Sequence, residues 1–135
     1  MSAVFADEGC AELLGVMLNK VSQGNVKLKL FVNNYTPLKS TVLADLTECT
    51  LTGYAALTLT GSSWTITTAS NVSVASYAAQ TFTFSASGQT IYGYYFTNNG
   101  STKLLWAERL GTSYAVPSGG GSITIIPSVA DKDCP

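Results

Sequence analysis

The chain has 135 residues with a formal net charge of -1, and only 11% of them are charged, against about a quarter in a typical globular domain. The length predicts one domain with a single core, and the lack of clustered Lys and Arg argues against a nucleic-acid partner. No apolar run is long enough for a transmembrane helix, and the amino terminus lacks the pattern of a secretory signal, so we expect no membrane partner and synthesis in a cytoplasm.

Residues 7–22 predict the first element, an amphipathic helix. Asp7 is the expected N-cap, and Gly24 is the expected stop. Apolar side chains recur there at spacings of three and four, on one face: Cys10, Leu13, Leu14, Met17, Leu18 and Val21. Two interpretations remain open, since this face either packs on the chain's own core or docks on a neighbouring subunit.

The pattern then changes from helical to alternating. VKLKLFV at 26–32 predicts a strand whose two lysines, Lys27 and Lys29, lie on one solvated face. TVLADLTE at 41–48 predicts a single helical turn carrying Asp45 and Glu48. From Gly53 onward every segment has the composition of a strand or a turn. The expected strands are LTLT, SWTITT, NVSVASY, TFTFSA, TIYGYYFT, KLLWAER and SITII.

Strands at intervals of about 8 to 12 residues predict a mainly β fold. We expect an antiparallel β-sandwich, jelly-roll-like, with one N-terminal amphipathic helix. Within one domain overall, residues 1–24 form the helical segment, 25–128 the β-sandwich and 129–135 a C-terminal tail.

TIYGYYFT at 90–97 is the most aromatic of these strands. Alternation places Tyr92, Tyr94 and Phe96 on one face and residues 91, 93 and 95 on the other, and both faces are apolar or aromatic. The strand is therefore either central and covered by the chain itself, beneath the helix, or in contact with another protein on one face. In the second case Trp106 in the next strand is a candidate anchor, because interfaces are rich in aromatic residues.

Residues 49–102 contain no Asp, Glu, Lys or Arg. Charged side chains, Lys above all, usually protect strand edges from pairing with another chain. An uncharged β region therefore indicates either that its edges are covered or that association is its purpose.

Catalytic and metal-binding patterns are sparse, so we expect a non-enzymatic protein without a cofactor or a metal. The chain has no His, which excludes Ser-His-Asp and Cys-His catalysis. The acidic pair Asp45 and Glu48, or Asp45 with Glu108, leaves a small hydrolase as a weak alternative.

The three cysteines are Cys10, Cys49 and Cys134, and they match neither CxxC nor a zinc pattern. We expect reduced thiols, with Cys134 in the terminal tail the most reactive.

Five segments, taken in order, resemble a group of small tailed-bacteriophage structural proteins. They are ELLGVMLN, LFVNNYTP, TVLADLTECTLTGYAA, QTIYGYYF and LLWAERL, which together cover roughly residues 11 to 110. The resemblance implies a virion component of capsid decoration (cement) type. Such proteins are symmetric oligomers that bind the major capsid protein, so the expected partners are that protein and further copies of this chain, as a dimer or a trimer.

The candidate interface combines the helix with the aromatic strands: Leu13, Leu14, Met17, Leu18, Tyr92, Tyr94, Phe96 and Trp106. The alternative function is a phage tail or fibre module that binds carbohydrate or a receptor on the host surface. Exposed rings at Tyr92, Tyr94 and Trp106 would supply its stacking surface.

Overall fold

The structure, a computed structural model, describes residues 3–22 and 24–130, which form antiparallel β-sheets and one α-helix. The helix α1 spans Asp7–Met17, and short 3-10 turns lie at Leu43–Asp45 and Gly61–Ser63. The strands are β1 Val4–Phe5, β2 Val26–Phe31, β3 Leu57–Leu59, β4 Thr65–Ala69, β5 Val72–Ser76, β6 Gln80–Phe84, β7 Thr90–Thr97, β8 Leu104–Ala115, β9 Gly121–Ile125 and β10 Ser128–Ala130. The prediction of a mainly β chain with one helix near its start is confirmed.

The described strands form three sheets with antiparallel pairing throughout. The largest has the order β1-β8-β7-β2-β3, the second β10-β5-β4, and the third pairs β6 with β9. Strand β7 lies at the centre of the largest sheet, where Tyr94 is opposite Leu30 of β2 and Glu108 of β8. The prediction of a strand covered on both faces is confirmed for β7, whose second half is buried throughout.

One face of the five-stranded sheet packs against the pair β6 and β9, and Val129 of β10 packs against the same cluster. Leu28, Leu30 and Phe96 are fully buried on this face, and Phe82 of β6 and Ile125 of β9 belong to the same cluster. Because β2 alternates, every second residue enters this cluster, which is the pattern expected of a half-buried strand.

The opposite face of the sheet is covered by irregular chain and by the residue that precedes the helix. Phe31, Tyr95 and Leu104 project from the sheet, and Ala6 and Leu46 close the cluster. The sheet is therefore a central layer with an apolar core on each side.

Irregular pairing between β7 and β8 accompanies a change in the face on which Tyr92 lies. Ile91 is opposite Tyr114 and Gly93 is opposite Arg109, so the extra residues of this irregularity are in β8. As a result Ile91 joins Tyr94 on the first face, and Tyr92 packs on the second, beside Tyr95. The prediction that Tyr92 shares a face with Tyr94 and Phe96 is therefore wrong, because the alternation of β7 is interrupted where its pairing with β8 is irregular.

The helix is shorter than predicted, and Ala6 rather than Asp7 is its N-cap. It ends at Met17 instead of residue 22. Leu18 is the C-cap, and Asn19 follows with φ of 56°, a left-handed conformation that Asn tolerates better than most residues. Gly24 therefore does not end the helix.

The chain also departs from the expected segment boundaries. Gly111, expected to separate two strands, lies inside the continuous strand β8. The N-terminal segment contributes β1 to the large sheet, through pairing with β8. Strand β10 runs across the expected boundary after residue 128, and residues 131–135 of the expected tail lie outside the described residues.

Candidate interaction surface

The helix contacts the sheet through its amino-terminal half. Gly9 is the only residue of α1 classed as buried, and a Cβ added there would collide with the backbone of Leu105. Glu8 accepts a hydrogen bond from the backbone N–H of Leu104 at 3.1 Å. The backbone N–H of Ala6 donates to the carbonyl of Leu105 at 3.0 Å. The contacts of the helix with β8 are thus made by Gly9, by the Glu8 carboxylate and by the residue that precedes the helix.

The predicted apolar face of the helix points largely away from the core. Leu13 is 43% exposed, Leu14 58%, Met17 72% and Leu18 76%. We call these four residues the helix patch. Residues spaced three and four apart are neighbours on a helix surface, so Leu14, Met17 and Leu18 lie side by side. The sequence left two interpretations open for this face, packing on the chain's own core or docking on a neighbouring subunit. The first does not apply to Leu14, Met17 and Leu18.

Three of the four aromatic residues predicted at the interface lie in the chain's own core. Tyr94 is 7% exposed, Trp106 6% and Phe96 fully buried. The Phe96 and Trp106 rings stack with centroids 4.2 Å apart. These rings stabilise the sheet from inside and do not form an exposed stacking surface. The helix and these aromatic residues therefore do not form one continuous surface.

Tyr92, the fourth aromatic residue, is half-buried beside an anchored arginine. The Arg109 guanidinium lies 5.4 Å from the centroid of the Tyr92 ring. Its nitrogens donate to the carbonyl of Tyr35 at 2.8 Å and to Oδ1 of Asn34 at 2.7 Å. Arg109 thereby fastens the loop after β2 to strand β8, and its charge has a structural function.

The acidic residues proposed for catalysis each have a structural partner. Asp45 Oδ2 accepts from the backbone N–H of Val42 at 3.0 Å, which caps the 3-10 turn. Glu108 Oε2 accepts from the Tyr94 hydroxyl. Glu48 lies beyond that turn, in a bridge to Phe31, so the prediction of one helical turn that carries both Asp45 and Glu48 is wrong for Glu48.

Lys29, Glu48 and Tyr54 form a polar cluster beneath the loop after β2. The Lys29 ammonium lies 3.3 Å from Glu48 Oε2, and the Tyr54 hydroxyl donates to Glu48 Oε1 at 3.0 Å. The Lys29 side chain is only 12% exposed, so the predicted solvated lysine face is wrong at this position. The lysine lies on the sheet face that chain segments cover, where an ion pair offsets the cost of desolvation.

Burial raises the pKa of three tyrosines in and around this sheet. Loss of hydration is the main cause for Tyr54, Tyr94 and Tyr95. A neighbouring carboxylate raises the pKa of each further, namely Glu108 for Tyr94 and Glu48 for the other two. The charged phenolate is disfavoured both by the apolar surroundings and by the like charge.

The cysteines differ in their state. Cys49 is a free thiol, 2% exposed, and burial raises its pKa. Cys10 is disulfide-bonded. The expectation of reduced thiols therefore holds for Cys49 and is wrong for Cys10, while Cys134 lies outside the described residues.

The uncharged region contains a fully exposed strand. All five residues of β4 are exposed, and Ile66 is 69% exposed. Strand β4 lies at the end of its sheet, where no other described strand pairs with its outer edge. The sequence indicated an unprotected edge without locating it, because β4 and the partly buried strand β6 both combine threonines with apolar residues.

A cavity beneath the helix has no counterpart in the sequence prediction. It has a volume of about 390 Å³ and lies between α1, the start of β8 and the turn at 98–100. Among residues 3–22 and 24–130, no three His, Cys, Asp or Glu side chains gather as metal ligands. Over the same residues, no helix is long and apolar enough to cross a membrane.

Comparison of the chain with protein-family models, with curated proteins and with solved structures finds no significant match.

Proposed function

We propose that this chain is a non-enzymatic structural protein of a tailed-bacteriophage virion, a capsid decoration (cement) protein that binds and stabilises the shell of the major capsid protein. In this proposal the sheets form a β-sandwich of jelly-roll type, and the chain acts as a dimer or a trimer without a cofactor. It is made in the host cytoplasm and functions on the virion. The five-segment resemblance supports the class of protein.

The helix patch is the observation that carries the binding function. Three large apolar side chains, Leu14, Met17 and Leu18, are more than half exposed and adjacent. Burying one such side chain against a partner contributes about 1.5 to 3 kcal/mol. Exposed apolar patches of this kind mark interaction sites in soluble proteins.

The low charge of the chain is consistent with a surface that other subunits cover. Several charged groups hold the fold together, including Lys29, Glu48, Glu108 and Arg109. An oligomer on a capsid makes each weak contact several times, and linked contacts increase overall affinity by factors of about 100 to 10,000. A modest apolar patch on each subunit is then sufficient for durable attachment.

Quantitative mass spectrometry of gradient-purified virions tests the class. We expect the protein at a fixed ratio close to that of the major capsid protein. A handful of copies per particle would contradict decoration and favour the tail or fibre module.

A charge placed in the helix patch tests the surface. Leu18→Glu should weaken binding to capsids that lack the protein by at least tenfold, because a carboxylate cannot be buried unpaired. Ile126→Glu is the matched control, since Ile126 is similarly exposed at 69% and lies outside the helix. Equal binding by the two variants would show that the helix patch is not part of the interface.

A further inference from the structure

Strand β4 has an outer edge with which no described strand pairs. The strand runs Thr65–Ala69 at the end of its three-stranded sheet, and all five of its residues are exposed. The edge strands of the largest sheet, β1 and β3, have only two and three residues, and such short edges resist pairing with another chain. Strand β4 has the length of a typical strand, about 5 to 6 residues, and can therefore accept a further strand.

The backbone groups on this outer edge belong to Ile66 and Thr68. Strands β4 and β5 form a hairpin in which Ala69 is opposite Val72, and residues 70–71 between them have φ of 53° and 65°. Two central residues of positive φ indicate a type I′ turn, whose flanking residues exchange backbone hydrogen bonds. Starting from Ala69, the backbone of every second residue of β4 therefore bonds to β5. The N–H and C=O groups of Ile66 and Thr68 point the other way, toward the outer edge.

The pairing on the far side of β5 supports the same assignment. The backbone N–H of Tyr77 donates to the carbonyl of Pro127 at 3.0 Å, on the side of β5 where β10 pairs. Because backbone direction alternates along a strand, the preceding residue, Ser76, bonds on the β4 side, where it is opposite Thr65. Thr65 therefore bonds to β5, and the next residue, Ile66, points outward.

Two copies of this edge complement each other around a twofold axis at Thr67. In antiparallel pairing centred on that residue, Ile66 of each copy lies opposite Thr68 of the other. The pairing overlaps the whole of β4 and satisfies the outward N–H and C=O groups of both residues in both copies. It also covers part of the Ile66 side chain, which is 69% exposed in the single chain.

The lack of charge favours a second copy over a different partner. A twofold axis brings residues near it toward their own copies, so a charged residue there would meet a like charge. Residues 49–102 contain no charged residue, so neither β4 nor the segments that flank it oppose the pairing. A partner of different sequence commonly uses opposite charges across the interface for steering and specificity, and this edge offers none.

We propose that two copies of this chain form a symmetric dimer by antiparallel pairing of β4 with β4, centred on Thr67. The two smaller sheets then form one continuous sheet of order β10-β5-β4-β4-β5-β10. A strand of five residues buries much less than the roughly 800 Å² per partner of a stable interface, so the dimer is weak and reversible in solution. The inference goes beyond the proposed function, because it concerns the isolated chain and does not use the helix patch.

Amide hydrogen exchange, followed by NMR at increasing protein concentration, tests the pairing without a substitution. The amide protons of Ile66 and Thr68 should exchange rapidly in dilute protein and roughly tenfold more slowly once sedimentation velocity shows mainly dimer. The amide protons of Thr65, Thr67 and Ala69 bond within the hairpin, so their exchange should not depend on concentration. A chain that remains monomeric at about 1 mM would overturn the proposal, and so would a dimer in which exchange of Ile66 and Thr68 is unchanged.

Charges at Thr67 test where the axis lies. Thr67→Lys places two like charges directly opposite each other and should weaken the dimer roughly fivefold, and Thr67→Glu should do the same. An equal mixture of the two variants should recover the dimer, because each lysine then meets a glutamate. Thr65→Lys is the matched control: this exposed residue lies on the same face of β4 but opposite Ala69 of the other copy.

The control lysines are separated along the pair of strands by more than a Debye length, so Thr65→Lys should change dimer affinity by less than about twofold. The amide spectrum of each variant establishes that it is folded. Equal weakening by Thr65→Lys and Thr67→Lys, or no recovery in the mixture, would refute pairing centred on Thr67. Capsid binding is measured separately, so loss of the dimer with binding intact refutes this pairing and leaves the proposed function standing.

Discussion

Ionisation of the buried tyrosines should make the protein unfold in alkali. The pKa values of Tyr54, Tyr94 and Tyr95 are raised in the folded chain, chiefly by burial, above the usual value of about 10. Above pH 10 the unfolded chain therefore releases three protons that the folded chain retains. Their contribution to stability is fully present below pH 10 and is lost as the pH rises toward the folded pKa values.

The size of this loss follows from the number of protons released. Each retained proton lowers the free energy of unfolding by about 1.4 kcal/mol per pH unit, so three tyrosines together lower it by about 4 kcal/mol per unit. A domain of this size has a stability of roughly 5 to 15 kcal/mol, so most of it should be lost by about pH 12 to 13.

Urea unfolding followed by circular dichroism at pH 7, 9 and 11 measures this effect, and Tyr95→Phe isolates one tyrosine. Tyr95 is 2% exposed, so the variant keeps the packing of the ring and loses only the hydroxyl. Relative to the unaltered protein, it should gain about 1.4 kcal/mol on going from pH 7 to pH 11, because its unfolded state has one ionisable group fewer. An unchanged difference between the two proteins at pH 7 and 11 would show that Tyr95 ionises in the folded state and would refute the reasoning.

Three further predictions concern stability and thiol chemistry. Gly9→Ala should destabilise the fold by about 1 to 3 kcal/mol, because its methyl group collides with the backbone of β8. Gly111→Ala is the control and should not destabilise it, since no atom lies within 4 Å of the added carbon; urea midpoints compare the two. Glu48→Gln should lower the free energy of unfolding by about 1 to 3 kcal/mol, because the mostly buried Lys29 loses its counter-charge; a change below 0.5 kcal/mol would contradict this role. Cys49 should resist iodoacetamide at pH 8 in the folded protein and react in urea, as followed by mass spectrometry; rapid labelling of the native protein would contradict its burial.

The strands were predictable because their side chains repeat with period two. TIYGYYFT marks a strand by β-branched and aromatic residues alone, and its bounds as β7 match the prediction. The irregular pairing of residues 91–93 with β8 was not predictable, because extra residues on one strand of a pair leave no mark on the composition. The position of Gly111 inside a strand was not predictable for a related reason. The sequence does not distinguish a glycine in an exposed part of a long strand from a glycine in a turn.

The exposed apolar surface was harder to predict than the strands. Periodicity identified the helix patch as one apolar face but not the direction in which that face points. Gly9 sets that direction. Because it has no side chain, the side of the helix that carries Gly9 lies against β8, and the helix patch is left exposed. For Trp106 and Phe96, the same large apolar character favours a core position and an interface equally, and only the packing of β7 against β8 separates the two.

The absence of charge in residues 49–102 does not have the same explanation in every strand of the folded chain. In β7 the absence of charge follows from burial, since every residue from Gly93 to Thr97 is buried. In β4 it does not, because every residue of that strand is exposed. Threonine hydroxyls satisfy some of the local polar groups there, as in the 2.7 Å contact between Thr68 and Ser73 of β5. An exposed strand edge without charged residues leaves the isolated chain open to pairing with other chains. Burial in the core cannot account for the missing charge in β4. If the proposed function is correct, this strand, together with the helix patch, is the first place to look for contacts with other subunits.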